Sequence, residues 1–195
     1  MPNVEPLARD TLPDLESLLA AVEHGFGFIP NSLLTMARQP EIMKTFIAMS
    51  GTILGRGSVD RQTKQLVAYM ASNAAGCRYC QAHTSAQAVR AGAAGQKIAA
   101  AFEFETSPLF SDADRAAMRF ARDAALVPNA TTPAHFIELR QHFDDAQIVE
   151  IVAVISLFGF LNRWNDTMAT TLEEEPVSFG EQWLAPGGWT VGKHA

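Results

Sequence analysis

The chain has 195 residues, enough for one domain that buries its own hydrophobic core without the help of disulfide bonds. Its formal net charge of −6 and isoelectric point near 5.3 argue against a nucleic-acid partner, because binding to phosphate backbones requires clustered cations. The first 14 residues contain scattered charges and prolines instead of a basic segment followed by an apolar run, so we expect a cytoplasmic protein.

Helix signals recur along the chain, whereas strand patterns are almost absent. Prolines at helix starts and glycines at helix ends delimit most segments, and Asp60 is placed as the N-cap of an amphipathic helix. The longest apolar run, 151–161, is too short to cross a bilayer and predicts a buried core helix, so no membrane partner is expected. The predicted fold class is all-α. The predicted helices span 13–25, 40–55, 60–75, 78–91, 94–102, 112–127, 132–143 and 144–172, the last with Gly159 as a candidate break.

The last segment, residues 173–195, is poor in helix signals but contains Phe179, Trp183 and Trp189. A freely solvated tail would rarely contain two tryptophans, so we expect an arm that packs. The arm can lie on its own helical domain, residues 1–172, or reach across a subunit boundary. We favour packing at a subunit interface.

Cys77 and Cys80 are the only cysteines in the chain, and they stand one helical turn apart. This spacing brings both sulfur atoms to one face, where they can form a local disulfide. In a reducing cytoplasm such a pair is more often catalytic or metal-binding than a permanent crosslink. A cysteine at a helix start also has a lowered pKa, because it lies near unpaired backbone amides. The pair therefore predicts redox or metal chemistry.

His83 lies one turn beyond Cys80, on the same arc of the helix as the two cysteines. Its imidazole can take the proton of Cys80 directly or through a water molecule. His83 is therefore the predicted general base. The alternative is a histidine that only forms hydrogen bonds within its helix.

An offset of 85 positions aligns two parts of the chain with each other. Asp60 falls on Asp145, 65–68 falls on 150–153, and 77–80 falls on 162–165. The second part keeps an arginine and an aromatic residue but has asparagines in place of both cysteines. We therefore expect two helical units related by a pseudo-twofold axis, of which only the first can perform thiol chemistry.

The stretch 60–91, with its glycine, its two cysteines and His83, resembles the alkylhydroperoxidase D-like branch of the carboxymuconolactone decarboxylase family. The segments 27–31 and 160–163 are similar to the peroxidase-related members of that family. The resemblance implies an all-α fold with an internal duplication, a homo-oligomer, and reduction of small hydroperoxides through a sulfenic acid and a disulfide. It also implies that Cys80 attacks and that Cys77 resolves. In this enzyme hypothesis an external dithiol restores both thiols, and neither a metal nor a cofactor is needed.

Two positions depart from the pattern of that family. The family commonly has a glutamate twelve residues before the first cysteine, where this chain has Gln65, whose amide cannot carry a proton. Some members have a histidine four residues after the second cysteine, where this chain has Thr84, with His83 one place earlier. The proton relay is therefore altered or lost. Glu150, which aligns with Gln65 under the offset, is the candidate for a carboxylate supplied by the other half.

Three other functions are compatible with the same residues. The pair can act as a disulfide reductase, or its thiols can be relics in an inactive member of the family. The third is a zinc site at Cys77, Cys80 and His83. Tetrahedral zinc sites normally draw ligands from two chain segments, so His135 and His142 would have to lie close.

Overall fold

The computed structural model describes all 195 residues as ten α-helices joined by turns and short 3₁₀ or π segments, without a β-strand. The predicted all-α fold class is confirmed. The helices are α1 (Glu16–Phe26), α2 (Asn31–Met36), α3 (Pro40–Leu54), α4 (Arg61–Ala74), α5 (Arg78–Arg90), α6 (Gly95–Ala99), α7 (Asp112–Ala124), α8 (Pro133–Leu139), α9 (Asp145–Met168) and α10 (Glu174–Phe179).

The capping residues explain where several helices begin and end. The Asp60 carboxylate accepts a hydrogen bond from the Thr63 amide at 2.9 Å, which confirms Asp60 as the N-cap of α4. Gly27 ends α1 with a φ of 97°, a left-handed conformation that glycine adopts without steric cost. Gly76 has a φ of 73° and separates α4 from α5, as the sequence predicted.

Helix α9 runs from Asp145 to Met168 as one long helix, and the candidate break at Gly159 does not occur. One glycine costs a helix about 1 kcal/mol relative to alanine, and the hydrogen bonds and packing of this long helix outweigh that cost. By length and composition α9 could cross a membrane, although its apolar run 151–161 alone is too short. One face of α9 packs in the core against α3, α4, α5 and α7.

Helices α4 and α5 form the centre of the bundle. All residues from 63 to 72 and from 79 to 88 are buried, including polar ones. Because α5 is buried on all sides, its glutamine, histidine, serine and threonine side chains must find partners inside the protein. This burial places the chemistry of the cysteine segment in the interior.

The C-terminal arm, residues 173–195, packs on its own chain. Trp189 Nε1 donates a hydrogen bond to the Arg78 carbonyl at 3.2 Å, at the start of α5. The His194 side chain is fully buried, and its Nδ1 lies 2.8 Å from the Thr170 carbonyl. The arm includes α10 and several short helical turns, which its composition did not predict. A role of the arm at a subunit interface stays a prediction.

Candidate active site

A cavity of about 270 Å³ lies between helices α1–α3 and helices α4, α5 and α9. The wall from α1–α3 is mainly apolar, and most of the polar side chains come from α4, α5 and α9. No aspartate, glutamate, lysine or arginine lines it. The cavity therefore suits a small, neutral and largely apolar molecule. The polar side chains on the second wall are Gln65, Tyr79, Cys80, His83, Thr84, Gln87 and Asn165.

The two cysteines differ in their access to this cavity. Cys80 lines it, whereas Cys77 lies outside its lining and is fully buried. Cys77 is the N-cap of α5, and its Sγ accepts a weak hydrogen bond from the Cys80 amide at 3.4 Å. Both thiols are free. A molecule in the cavity thus meets Cys80 first, with Cys77 one helical turn away.

The pKa of the Cys80 thiol is raised well above its ordinary value, which differs from the lowered pKa that the helix start predicted. Burial is the main cause, and the hydrogen bond and the charge of Cys77 add to it. The Asn165 amide opposes the shift, because its Nδ2 lies 3.5 Å from Cys80 Sγ. Desolvation of the sulfur raises the pKa by more than the unpaired amides at the helix start lower it. Reaction of Cys80 at neutral pH therefore requires a base that takes its proton.

His83 lines the cavity and has the hydrogen bonding of an oriented base. Its Nε2 lies 2.7 Å from Glu173 Oε2, and its ring stacks on Tyr79 with a centroid distance of 4.3 Å. Nδ1 forms no hydrogen bond within the protein. When Nε2 carries the hydrogen and donates it to Glu173, the lone pair of Nδ1 is free to accept a proton.

Glu173 is the carboxylate behind His83, and the sequence reasoning missed it. Its Oε1 accepts hydrogen bonds from the Tyr79 hydroxyl at 2.9 Å and from the Asn31 amide at 2.6 Å. Burial acts to raise the pKa of Glu173, but the positive charge of a protonated His83, the hydrogen bond from His83 and the backbone amides of Asn31 and Glu173 lower it overall. The carboxylate is therefore ionised at neutral pH. The one sequence signal was the segment 27–31, whose last residue contacts Glu173.

The structure brings most predicted site residues together, but not Glu150. Gln65 and Thr84 line the cavity with Cys80 and His83, and the Thr84 hydroxyl donates to the Cys80 carbonyl at 2.7 Å. Glu150 does not line it. Its carboxylate accepts hydrogen bonds from the amide and hydroxyl of Ser58 at 2.7 and 2.6 Å and lies 3.0 Å from Lys64 Nζ.

The environment of Glu150 corrects the hypothesis that this residue supplies the carboxylate of the cavity. Its face of α9 is turned toward the loop before α4, so alignment with Gln65 does not bring it to the same place. Hydrogen bonds from Ser58, together with Lys64 and the Val59 amide, lower the pKa of Glu150 from 4.5 to about 2. The carboxylate thus ties α9 to the segment before α4.

We expect Glu150→Gln to lower the free energy of unfolding by about 2 kcal/mol at pH 7 and to leave turnover unchanged. The stability that Glu150 contributes is present above pH 4.5 and is lost as the pH falls toward about 2, because the folded pKa is the lower one. Urea denaturation at pH 7 and pH 3 measures this difference. Asp145→Asn, an exposed position on the same helix, is the control. Slower turnover with unchanged stability in Glu150→Gln would contradict the placement of Glu150 outside the cavity.

The structure does not assemble the zinc site considered above. No group of three histidine, cysteine, aspartate or glutamate side chains has the spacing for a metal ion in residues 1–195. His135, one of the two histidines that the site would need, lies 2.9 Å from Asp123 instead.

Known proteins share the sequence pattern and the fold of this chain. The sequence pattern of the carboxymuconolactone decarboxylase family matches residues 40–123. The structure of the debrominase Bmp8 without ligand is 36% identical, covers 92% of this chain and 96% of Bmp8, and has a TM-score of 0.85. The chain belongs to the carboxymuconolactone decarboxylase family. A cysteine-to-alanine variant of Bmp8, solved in complex with 2,3,4-tribromopyrrole, is 35% identical with a TM-score of 0.86 over the same shares.

Other relatives support the fold of this family member. An uncharacterized peroxidase-related protein from Ralstonia eutropha JMP134, with an alkylhydroperoxidase AhpD core, has a TM-score of 0.80 at 23% identity. It covers 90% of this chain and 94% of its own, and at this identity the likeness shows the fold alone. The uncharacterized protein YnjA of Escherichia coli (strain K12) is 29% identical over 113 residues, 58% of this chain. That match spans 62% of YnjA, less than two thirds of its length.

Proposed function

We propose that this protein is a thiol-dependent peroxidase that reduces small, neutral hydroperoxides with Cys77 and Cys80. One observation carries the proposal: Cys80 faces an uncharged cavity beside His83, and Cys77 lies behind it within reach of a local disulfide. An enzyme with this chemistry needs no cofactor, because the two thiols supply both electrons.

The first step oxidises Cys80. His83 Nδ1 accepts the thiol proton, and the Cys80 thiolate attacks the terminal oxygen of the hydroperoxide. A sulfur–oxygen bond forms, the oxygen–oxygen bond breaks, and the electron pair leaves with the alkoxide. The alkoxide takes the proton from His83 and leaves as an alcohol, so that Cys80 becomes a sulfenic acid.

The second step closes the disulfide. The thiolate of Cys77 attacks the sulfur of the Cys80 sulfenic acid, the sulfur–sulfur bond forms, and the oxygen leaves as water after taking the Cys77 proton. An external dithiol then reduces the disulfide by two thiol–disulfide exchanges and becomes a disulfide itself. This cycle suits the reducing cytoplasm, which we keep as the proposed location, and a homo-oligomer stays a prediction for this chain.

A thiol titration tests the proposal. Reduced wild-type protein is expected to lose two thiols after one equivalent of tert-butyl hydroperoxide, with one equivalent of tert-butanol formed. Cys80→Ser is expected to lose none, because the thiol that faces the cavity is missing. Two thiols retained by the wild-type protein would overturn the proposed function.

A second candidate function is a two-thiol debromination. It is favoured by the match to the debrominase Bmp8 over 92% of this chain and by the uncharged, mainly apolar cavity. In that reaction Cys80 would accept the bromine, a proton would replace it on carbon, and Cys77 would form the disulfide with release of bromide. Incubation of the reduced protein with 2,3,4-tribromopyrrole distinguishes the candidates: bromide release in step with thiol loss, and no reaction with hydroperoxide, would favour debromination.

A further inference from the structure

Asn165 is a buried side chain whose amide oxygen faces no partner in the protein. It lies on α9, is 1% exposed and lines the cavity. Its Nδ2 is directed to Cys80 Sγ at 3.5 Å, whereas its Oδ1 has no hydrogen-bond partner. A buried amide oxygen without a partner is destabilising, and such groups are uncommon in folded proteins. A partner that arrives with the substrate would satisfy it.

The position of Asn165 distinguishes it from a second asparagine on the same helix. Asn162 is also buried and its Oδ1 also lacks a partner, but its Nδ2 donates to the Ala71 carbonyl and it does not line the cavity. An unpartnered oxygen alone therefore does not identify a binding group. In Asn165 the oxygen belongs to the same planar amide that contacts the reacting sulfur, so it lies within one amide group of that sulfur, on a residue that lines the cavity.

We propose that Asn165 Oδ1 is a specificity-determining acceptor, which binds a hydrogen-bond donor carried by the substrate on or next to the atom that Cys80 attacks. The inference rests on the proposed function and names the substrate class more closely. In a hydroperoxide the donor is the terminal O–H, whose oxygen is the one transferred to sulfur.

The hydrogen bond fits each stage of the first step. When the oxygen–oxygen bond breaks, the terminal oxygen keeps its hydrogen and becomes the hydroxyl of the Cys80 sulfenic acid. That hydroxyl still donates to Asn165 Oδ1, while Nδ2 remains beside the sulfur. The amide thus orients the electrophilic oxygen before attack and stabilises the product of attack. An electrophile without a hydrogen-bond donor at that position is neither oriented nor stabilised by Asn165 Oδ1.

The experiment compares two electrophiles in a Cys77→Ser background, where Cys80 is the only thiol. One is tert-butyl hydroperoxide, and the other is methyl methanethiosulfonate, which has no hydrogen-bond donor and is attacked at sulfur by the same thiolate. Both rate constants are proportional to the thiolate fraction, so their ratio does not depend on the pKa of Cys80. We expect Asn165→Leu to lower the ratio of the hydroperoxide rate to the thiosulfonate rate by about tenfold, since one hydrogen bond to a reacting group is lost.

The controls separate binding from folding. Asn162→Leu makes the same change one turn earlier on α9 and is expected to keep the wild-type ratio. Asn165→Asp is nearly isosteric and keeps the acceptor, so both rates are expected to fall together while the ratio stays the same. An unchanged rate ratio in Asn165→Leu, or a lowered ratio in Asn165→Asp, would overturn this inference but leave the proposed function standing. If Cys80 reacts with the thiosulfonate but not with the hydroperoxide in the Cys77→Ser protein that keeps Asn165, both the inference and the proposed function fail.

Discussion

Replacing Cys77 with serine is expected to stop turnover after a single oxidation of each chain when the external reductant is a dithiol too bulky to enter the cavity. Cys80 can still attack the hydroperoxide, because it alone of the two faces the cavity, but no thiol is left to form the disulfide. Steady-state consumption with that reductant should fall by roughly 10⁴-fold or more, the scale found when one member of a catalytic unit is removed. Serine is a good N-cap residue, so the start of α5 should be preserved in this variant.

Trapping of the sulfenic acid measures this effect. Dimedone added with the hydroperoxide should label Cys80 in Cys77→Ser, and mass spectrometry of peptides locates the label. In Cys80→Ser no label is expected on Cys77, which lies outside the cavity lining. A label on Cys77 in that variant would reverse the roles of the two cysteines.

Glu173→Gln is expected to slow oxidation of Cys80 by about 10- to 100-fold, the range found when the hydrogen-bond partner of a metal-ligating histidine is replaced. Glutamine can still accept the hydrogen bonds from Tyr79 and Asn31 through its oxygen, but its amide then points an N–H at His83 Nε2. His83 must accept that bond and carry its hydrogen on Nδ1. The base would then have no free lone pair to accept the thiol proton, and no carboxylate would stabilise the imidazolium.

Stopped-flow oxidation of the reduced protein measures the rate, and Glu174→Gln removes the same charge from the neighbouring, exposed position as a control. Glu173→Gln should also lower the free energy of unfolding at neutral pH. Because the pKa of Glu173 is lowered in the folded protein, its contribution is present above the ordinary value of 4.5 and is lost as the pH falls through the folded value. If Glu173→Gln and Glu174→Gln are oxidised at the same rate, Glu173 has no part in proton transfer from Cys80.

The thiols and His83 were predictable because their arrangement is local. Cys77, Cys80 and His83 lie within two turns of one helix, and helical geometry fixes which of them share a face. The start of α4 was predictable for the same reason, since Asp60 caps it through the amide three residues on. Such contacts depend on sequence spacing and little on how the helices pack.

The carboxylate of the site was not predictable, because it depends on tertiary packing. Glu173 meets His83 across 90 positions of the chain, and neither periodicity nor composition marks it. The 85-position offset pointed to Glu150 instead. It aligns a helix pair interrupted at Gly76 with one continuous helix, so equivalent positions need not face the same cavity. The offset did pair Cys80 with Asn165, and these two side chains are in contact.

The burial of both sulfur atoms bears on how a Cys77–Cys80 disulfide would be reduced again. Cys77 and Cys80 are 0% and 2% exposed, so a folded redox protein cannot dock its own thiols against their disulfide while the arm and α5 stay in place. A slender dithiol that enters through the cavity reaches Cys80 directly. Reduction of the disulfide by a bulky reductant would be limited by the rate at which the arm opens locally. Reduction by a small dithiol would depend on the concentration of that dithiol.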